Sequence, residues 1–291
     1  NNASLLAPHK IFVDHVTEGN TSFYSVAPAK LTLEKNLAIG VFDSGIGGLT
    51  VLDAIINADY FNAANGNNAD QKKDFCNEQF IYFADQANMP YSNYIEEGKT
   101  ELLREHILKD ALFLLNNKYH SSPDSEKTNT DKSGVKAIVI ACNTATAYGK
   151  SQVEELCKLV GFKGKVIGVI DAGCKGALDM IGEDENAAIA VLATPATVAS
   201  GAYINTLNKL KKDHKGEINV IQQGGKGLHE SIDNKLEFIG NKYTKTYSGY
   251  QGPSLFKGQY KIQKDLLPYY HFDTISFRLL YNKTSLNISD T

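Results

Sequence analysis

The segment from Lys136 to Lys150 constrains the fold more than any other stretch of this sequence. It begins with Ala137–Ala141, a short apolar run rich in β-branched residues that predicts a buried strand. Cys142-Asn143-Thr144 follows at once, and a helical pattern runs from about Tyr148 to Leu159. In an open α/β sheet, ligands lie outside the carboxyl ends of the strands. This order of strand, turn and helix therefore makes Cys142 a candidate site residue.

The same alternation of strand and helix recurs along the chain. Further strands are predicted at Leu37–Phe42, Gln79–Ala84, Lys165–Ile170, Ala187–Ala193 and Glu217–Ile221. Strands that alternate with helices imply parallel sheets joined by right-handed crossovers. We therefore expect an α/β fold of two similar lobes, each a mostly parallel sheet flanked by helices, with a cleft between them. The predicted divisions are an N-terminal extension outside the main fold at 1–36, a first lobe at 37–160, a second lobe at 161–277 and a divergent tail at 278–291.

A glycine-rich turn, DSGIGG, follows the first predicted strand and begins with Asp43. Its glycines allow a tight turn and a close approach of the backbone to a ligand. The N-terminus of the helix that follows would favour a carboxylate or a phosphate. The glycine spacing matches neither the dinucleotide fingerprint nor a Walker loop. A structural alternative, in which Asp43 only caps the helix, is equally compatible with the local pattern.

A second polar segment, DQANMPYS, follows the strand Gln79–Ala84. Tyr91 and Ser92 would offer hydroxyl groups on the ligand side of the sheet. The alternative is a turn containing proline with a packed tyrosine, and the local pattern alone favours that alternative.

Composition excludes several classes of protein. The 291 residues carry a formal net charge of −3, so there is no basic surface typical of nucleic-acid binding. Four cysteines at irregular spacing predict reduced thiols in a cytoplasmic protein rather than a disulfide scaffold or a metal site. The sequence has neither a run of about 18 apolar residues nor the apolar core of a signal peptide, so no membrane partner is expected.

Five segments together resemble the glutamate racemases of the cofactor-independent aspartate/glutamate racemase superfamily. They are DSGIGGLTVL, YFADQANMPYS, VIACNTATAYG, VIGVIDAG and VLATPATVASGAY. They occur in the family's order and approximate spacing from about Leu37 to Leu210, with weaker similarity at Gly227–Asp233. The set is specific, although each segment alone is weak.

The resemblance implies an isomerase that interconverts L- and D-glutamate by cysteine acid/base proton transfer, without metal or pyridoxal phosphate. It implies a cytoplasmic enzyme that supplies D-glutamate for peptidoglycan, with glutamate as the small-molecule substrate. Aspartate stays open as an alternative substrate. Members of the family often dimerise, so a homodimer is an open expectation too.

The resemblance also implies the roles of individual residues. It makes Cys142 and Asp43 catalytic, and a helix N-terminus is expected to lower the pKa of the Cys142 thiol. The matching substrate-binding residues are Asp43, Ser44, Tyr91, Ser92, Asn143, Thr144 and, on weaker grounds, Thr197. Ser92 replaces the family's usual glycine.

The sequence departs from the family near its end. The family carries a second cysteine in a motif Gly-Cys-Thr-His-Tyr-Pro, introduced by a phrase like His271–Ile275. Here Ser276–Lys283 follows and contains no cysteine. We hypothesise a frame change or early stop near Ser276, which fails if no other reading frame of the coding DNA encodes the motif. The alternative function is therefore a truncated, catalytically impaired relative that only binds an amino acid or carboxylate.

Overall fold

The computed structural model describes residues 4–17, 23–26, 36–61, 69–122, 125–225 and 228. These residues divide into two compact units. The first contains the described residues up to Glu185 together with Ser200–Gly216, and the second contains Asn186–Ala199 and the described residues from Glu217 onward. No helix among these described residues is long and apolar enough to cross a membrane.

Helices and strands alternate through most of the first unit. In chain order they are α1 (Lys10–Thr17), β1 (Ala38–Asp43), α2 (Gly48–Ile56), β2 (Phe80–Ala84), α3 (Tyr91–Glu96), α4 (Thr100–Leu115), β3 (Val135–Ile140), α5 (Asn143–Leu159), β4 (Lys165–Gly168) and α6 (Val169–Asp179). Helix α8 (Ala202–Leu210) also belongs to the first unit. The second unit contains β5 (Ala187–Ala193), α7 (Pro195–Ala199) and β6 (Ile218–Gly224).

The described strands of the first unit form a parallel sheet in the order β2-β1-β3-β4. The predicted α/β class with parallel strands is therefore confirmed. One boundary differs from the prediction: β4, which the sequence assigns to a lobe beginning at 161, pairs with β3 and extends the first sheet. The short turn between α5 and β4 places β4 beside β3 as the next parallel strand.

The core of the first unit lies where α4 and α5 cover the sheet. Every residue of β1 is buried, as expected for a central parallel strand. Gly40 allows the close approach of α4, because a Cβ there would lie 2.9 Å from a methyl carbon of Leu114. Helix α4 places Leu103, Ile107 and Leu108 in the same core.

The described N-terminal residues pack into this core, so the prediction of an extension outside the main fold is wrong for them. Phe12 and Val16 of α1 and Val26 are buried in the main hydrophobic cluster. The Val26 N–H donates to the carbonyl of Val16 at 3.2 Å, and Asn116 at the end of α4 donates to the carbonyl of Ser25 at 3.1 Å. Apolar residues at helical spacing in α1 give it a buried face.

The second unit contains a parallel pair of strands. β5 pairs with β6 from Ala187 beside Ile218 to Ala193 beside Gly224. Gly224 approaches α7 closely, because a Cβ there would lie 3.2 Å from the Cα of Pro195. The predicted tail at 278–291, the part of the predicted second lobe from 229 to 277 and the C-terminal departure near Ser276 lie outside the described residues.

Candidate active site

Asp43 lies at the carboxyl end of β1, where its carboxylate organises the glycine-rich turn. One oxygen accepts a hydrogen bond from the N–H of Ser44 at 2.8 Å, and the other accepts from the N–H of Gly48 at 2.7 Å. Gly48 is the first residue of α2, so Asp43 makes the contact that the capping alternative predicts. A Cβ at Gly48 would lie 2.8 Å from the Cβ of Asp43 and 2.9 Å from the Cβ of Ala141. Only glycine allows α2 to begin this close to the acid.

Cys142 lies beside this turn because β1 and β3 are adjacent and in register. Phe42 pairs with Ile140, so the residues after each of them leave the sheet at the same edge. The Cys142 sulfur lies 3.6 Å from the hydroxyl oxygen of Ser44. Cys142 is also the N-cap of α5, and its sulfur accepts the N–H of Ala145 at 3.4 Å. The structure thus brings together the predicted residues Asp43, Ser44 and Cys142.

The Cys142 thiol is nearly covered, with 7 % of the residue exposed. Burial raises its pKa from 9.0 to about 11, and the negative charge of Asp43 adds to the rise. The hydrogen bonds from Ala145 and Ser44 offset only part of this shift. The helix N-terminus lowers the pKa as expected, through the N–H of Ala145, but the net shift is upward because desolvation of the thiolate outweighs the helix donors. At neutral pH the group is a thiol.

Tyr82 of β2 is a further residue of this site, and sequence reasoning missed it. Its hydroxyl donates to the carbonyl of Gly45 at 3.0 Å and so ties the glycine-rich turn to the neighbouring strand. Burial and the charges of Asp43 and Cys142 raise the pKa of Tyr82 to about 12, so it keeps its proton. The sequence signal that could have identified Tyr82 is its hydroxyl group within an otherwise apolar strand.

Asn143 and Thr144 form the first residues of α5, directly after the thiol. Asn143 is exposed, and its side-chain oxygen accepts a hydrogen bond from the hydroxyl of Tyr203 at 2.6 Å. Thr144 is buried. The predicted contacts of Asn143 and Thr144 with a substrate stay predictions. The hydrogen bond of Asn143 with Tyr203 of α8 was not predicted from the sequence.

Tyr91 and Ser92 begin α3, after the turn that follows β2. Ser92 is half-buried, whereas Tyr91 is 2 % exposed. The Tyr91 hydroxyl oxygen lies 2.7 Å from a carboxyl oxygen of Asp85 and 2.7 Å from one of Asp110. The side chain is packed as the alternative of a tyrosine at a proline turn expects. Its predicted contact with a substrate stays a prediction.

Thr197 belongs to the second unit. It is buried on α7, and its hydroxyl oxygen lies 3.0 Å from that of Thr194. The Thr194 hydroxyl oxygen also accepts the N–H of Thr197 at 3.3 Å, which caps the start of α7. Its assignment to the substrate site rests on the sequence.

The other cysteines are free thiols that differ in their surroundings. Cys174 of α6 is buried, and burial with the charge of Asp171 raises its pKa to about 11. Burial raises the pKa of Cys157 on α5 to about 12. Cys76 is exposed. Among the described residues, no cluster of His, Cys, Asp and Glu side chains could hold a metal ion.

Comparison of the sequence with curated proteins finds glutamate racemases. The glutamate racemase of Sulfurihydrogenibium sp. (strain YO3AOP1) is 34 % identical over 177 residues, which is 61 % of this chain and 52 % of that protein. The glutamate racemase of Aquifex pyrophilus is 38 % identical over 173 residues, 60 % of this chain and 51 % of the relative. That of Fusobacterium nucleatum is 30 % identical over 213 residues, 72 % of this chain and 64 % of the relative.

The chain is similar in sequence to glutamate racemases. The resemblance found in the five motifs is thereby confirmed. The chain spans about half the length of most of these racemase relatives. No protein-family model matches it.

Solved structures of glutamate racemases also match. The enzyme from Aquifex pyrophilus is 31 % identical with a TM-score of 0.42, over 64 % of this chain and 55 % of that one. The enzyme from Francisella tularensis, solved in complex with D-glutamate, is 27 % identical with a TM-score of 0.42, over 72 % of this chain and 60 % of that one.

Proposed function

We propose that this chain acts on glutamate as a cofactor-independent amino-acid racemase, in which Cys142 exchanges a proton with the α-carbon. The observation that carries the proposal is the contact of the Cys142 thiol with Ser44 beside the Asp43 carboxylate. The residues of this contact lie in two of the motifs shared with glutamate racemases. Asp43, Ser44, Asn143 and Thr144 are proposed to hold the amino-acid head group.

The charges at the site suit an amino acid better than a simple anion. Asp43 is buried, and the structure shows no cation in contact with its carboxylate among the described residues. A substrate ammonium near Asp43 would offset the charge that raises the pKa of Cys142. Binding would therefore favour the thiolate that the proton abstraction needs.

The reaction at this face is a single proton transfer. As a base, the Cys142 thiolate takes the α-proton and becomes a thiol, leaving the electron pair on the α-carbon. As an acid, the thiol returns a proton to that carbon and becomes a thiolate. Racemisation needs a second group on the opposite face, and no described residue is assigned to that role.

The alternative is a protein that binds an amino acid or carboxylate with little or no turnover. It is favoured by the pKa of about 11 that burial gives the Cys142 thiol, which leaves little thiolate at neutral pH. A site with one acid/base group would exchange the α-proton of one enantiomer with solvent but would racemise poorly, because facing acid and base act as a unit.

Turnover and proton exchange on the purified 291-residue protein test both candidates. L- and D-glutamate are incubated separately in D2O, with optical rotation and α-deuterium incorporation followed together. Racemisation of both enantiomers that disappears in Cys142→Ser supports the first function. Exchange of one enantiomer without racemisation, or binding alone, supports the second. If the protein shows neither proton exchange nor binding of glutamate, both candidate functions are refuted.

The matched control is Cys76→Ser, because Cys76 is the exposed thiol and lies outside the site. It should leave every rate unchanged. Aspartate is run in parallel to decide the substrate.

The wider setting is part of the same proposal. A racemase of this kind would supply D-glutamate for peptidoglycan from the cytoplasm, and it could act as a homodimer. Sedimentation of the purified protein with and without glutamate tests the last point.

A further inference from the structure

The hydroxyl of Tyr91 joins two buried carboxyl groups from different parts of the first unit. Asp85 follows β2 directly, whereas Asp110 lies in the middle of α4. Each has a carboxyl oxygen 2.7 Å from the Tyr91 oxygen, and Asp110 is 4 % exposed. Burying two carboxyl groups against one hydroxyl costs folding free energy unless each short oxygen–oxygen contact contains a proton.

Counting protons fixes the direction of these bonds. A phenol has one proton, so Tyr91 can donate to only one of its two neighbours. The other short contact needs a second proton on a carboxyl group. Burial and the charge of Asp85 raise the pKa of Asp110 well above its usual range, so Asp110 holds that proton. With the proton assigned in this way, we infer that Asp110 donates to Tyr91 and that Tyr91 donates to Asp85.

Asp85 extends this chain of bonds to the candidate active site. Its N–H donates to the carbonyl of Asp43 at 2.9 Å. Its carboxylate also accepts the side-chain N–H of Asn88 at 2.8 Å, which closes the turn before Pro90. Segment 85–92 is thus held at its first residue by the carbonyl of Asp43, and at Asn88 in its middle by the carboxylate of Asp85. Through Tyr91 it is attached to α4.

We propose that Asp110 is a positioning residue that acts through Tyr91 and Asp85 to hold segment 85–92 beside Asp43. We name these three side chains the Asp110 brace. Asp110 does not touch the reacting atoms, and its effect is to fix the segment that carries Tyr91 and Ser92. The part of this inference that concerns substrate rests on the proposed racemase function.

Other titratable groups lie near the brace. His106 lies one turn before Asp110 on α4, and burial lowers its pKa while the charge of Asp85 opposes that shift. Tyr94 of α3 contacts the His106 ring at a centroid distance of 5.4 Å and also senses Asp85. These groups make the brace one part of a small polar network between α3 and α4.

Hydrogen exchange tests the brace without any substrate. The amides of Asp85, Asn88 and Asn93 make backbone hydrogen bonds in or next to the segment and report its opening. Asp110→Leu and Tyr91→Phe should speed their exchange about tenfold, while the amides of β3 exchange as in wild type. Asp110→Asn keeps a neutral donor toward Tyr91 and should stay within about twofold of wild type.

Leu108→Ala is the matched control, because it removes buried volume from the same helix without removing a hydrogen bond. It should speed exchange in α4 and the sheet as much as in segment 85–92. The brace is refuted if Asp110→Leu leaves the segment unchanged, if it acts as uniformly as Leu108→Ala, or if Asp110→Asn fails to protect the segment.

Kinetics separate the brace from the proposed function. If wild type racemises glutamate, Asp110→Leu should raise KM by about tenfold with a smaller change in kcat, and Asp110→Asn should restore KM. An unchanged KM in Asp110→Leu refutes the positioning role. If wild type neither turns over nor binds glutamate, the proposed function fails, and the exchange result still decides the brace.

Discussion

Replacing Asp110 by asparagine should make the free energy of unfolding less dependent on pH. In the folded chain, burial and the charge of Asp85 hold the pKa of Asp110 well above its ordinary value of 3.8. Between those two pKa values, the folded chain keeps a proton that the unfolded chain releases. The wild-type protein therefore loses stability at this site as the pH rises through that interval.

The size of the effect follows from one proton. A proton bound only in the folded state changes the free energy of unfolding by at most about 1.4 kcal/mol per pH unit. Asp110→Asn binds no proton there but keeps a neutral side chain that donates to Tyr91. Its stability relative to wild type should thus be smallest near pH 4 and should rise toward pH 7 with a slope of up to about 1.4 kcal/mol per unit.

Urea unfolding measured by circular dichroism at closely spaced pH values checks this slope, since the chain has no tryptophan to report by fluorescence. Asp179 on the surface of α6 supplies the control, because Asp179→Asn makes the same replacement at an exposed position outside the brace. The comparison of wild type with Asp110→Asn is repeated in a His106→Gln background, so that the titration of the nearby histidine does not contribute. A difference between Asp110→Asn and wild type that stays flat, or falls with rising pH, would refute the proton on Asp110.

Two further predictions concern packing. Phe12→Ala should cost about 3–5 kcal/mol of unfolding free energy, because Phe12 is buried in the main core, whereas Ile11→Ala, at a position 80 % exposed, should cost almost nothing. Gly48→Ala should cost about 1–3 kcal/mol and disturb Asp43, because the new Cβ would lie 2.8 Å from the Cβ of that residue. Gly176→Ala in α6 is its control: nothing lies within 4 Å of that position, so the helix should gain about 0.5–1 kcal/mol. Thermal and urea unfolding check both pairs, and equal effects within a pair would contradict the reasoning.

The strands and their order of appearance could be predicted because each has a distinct apolar pattern. β5 begins and ends at Ala187 and Ala193, as the sequence predicts. The apolar pattern of a strand does not show which sheet the strand joins, so this part of the fold could not be predicted from the sequence. β4 is exposed at alternate positions, as an edge strand is, but its sequence does not say which neighbour it pairs with. The short turn after α5 places β4 beside β3.

The N-terminal residues show a second limit. Phe12, Val16 and Val26 look unremarkable in a mixed and weakly periodic segment, because most of the core to which they contribute is formed by residues far along the chain. Only the contacts with α4 reveal their role, such as the bonds from the Asn116 side chain to the carbonyls of Phe23 and Ser25. Patterns detect regular elements better than single long-range contacts.

The contact of Ser44 with Cys142 depends on the position of an irregularity in the pairing of β1 with β3. At the start of the strands, Ala38 pairs with Val135, but Ile39 pairs with Ala137, so one residue of β3 is extra there. From that point Phe42 and Ile140 stay in register. If the extra residue lay at the carboxyl ends instead, one strand would be displaced along the other by about 3.3 Å, the rise of one residue. That displacement is comparable with the 3.6 Å between the Ser44 oxygen and the Cys142 sulfur, so the contact would be lost. Asp43 and Cys142 each follow a strand predicted from the sequence, but the bulge that aligns the two strands is a property of the assembled sheet.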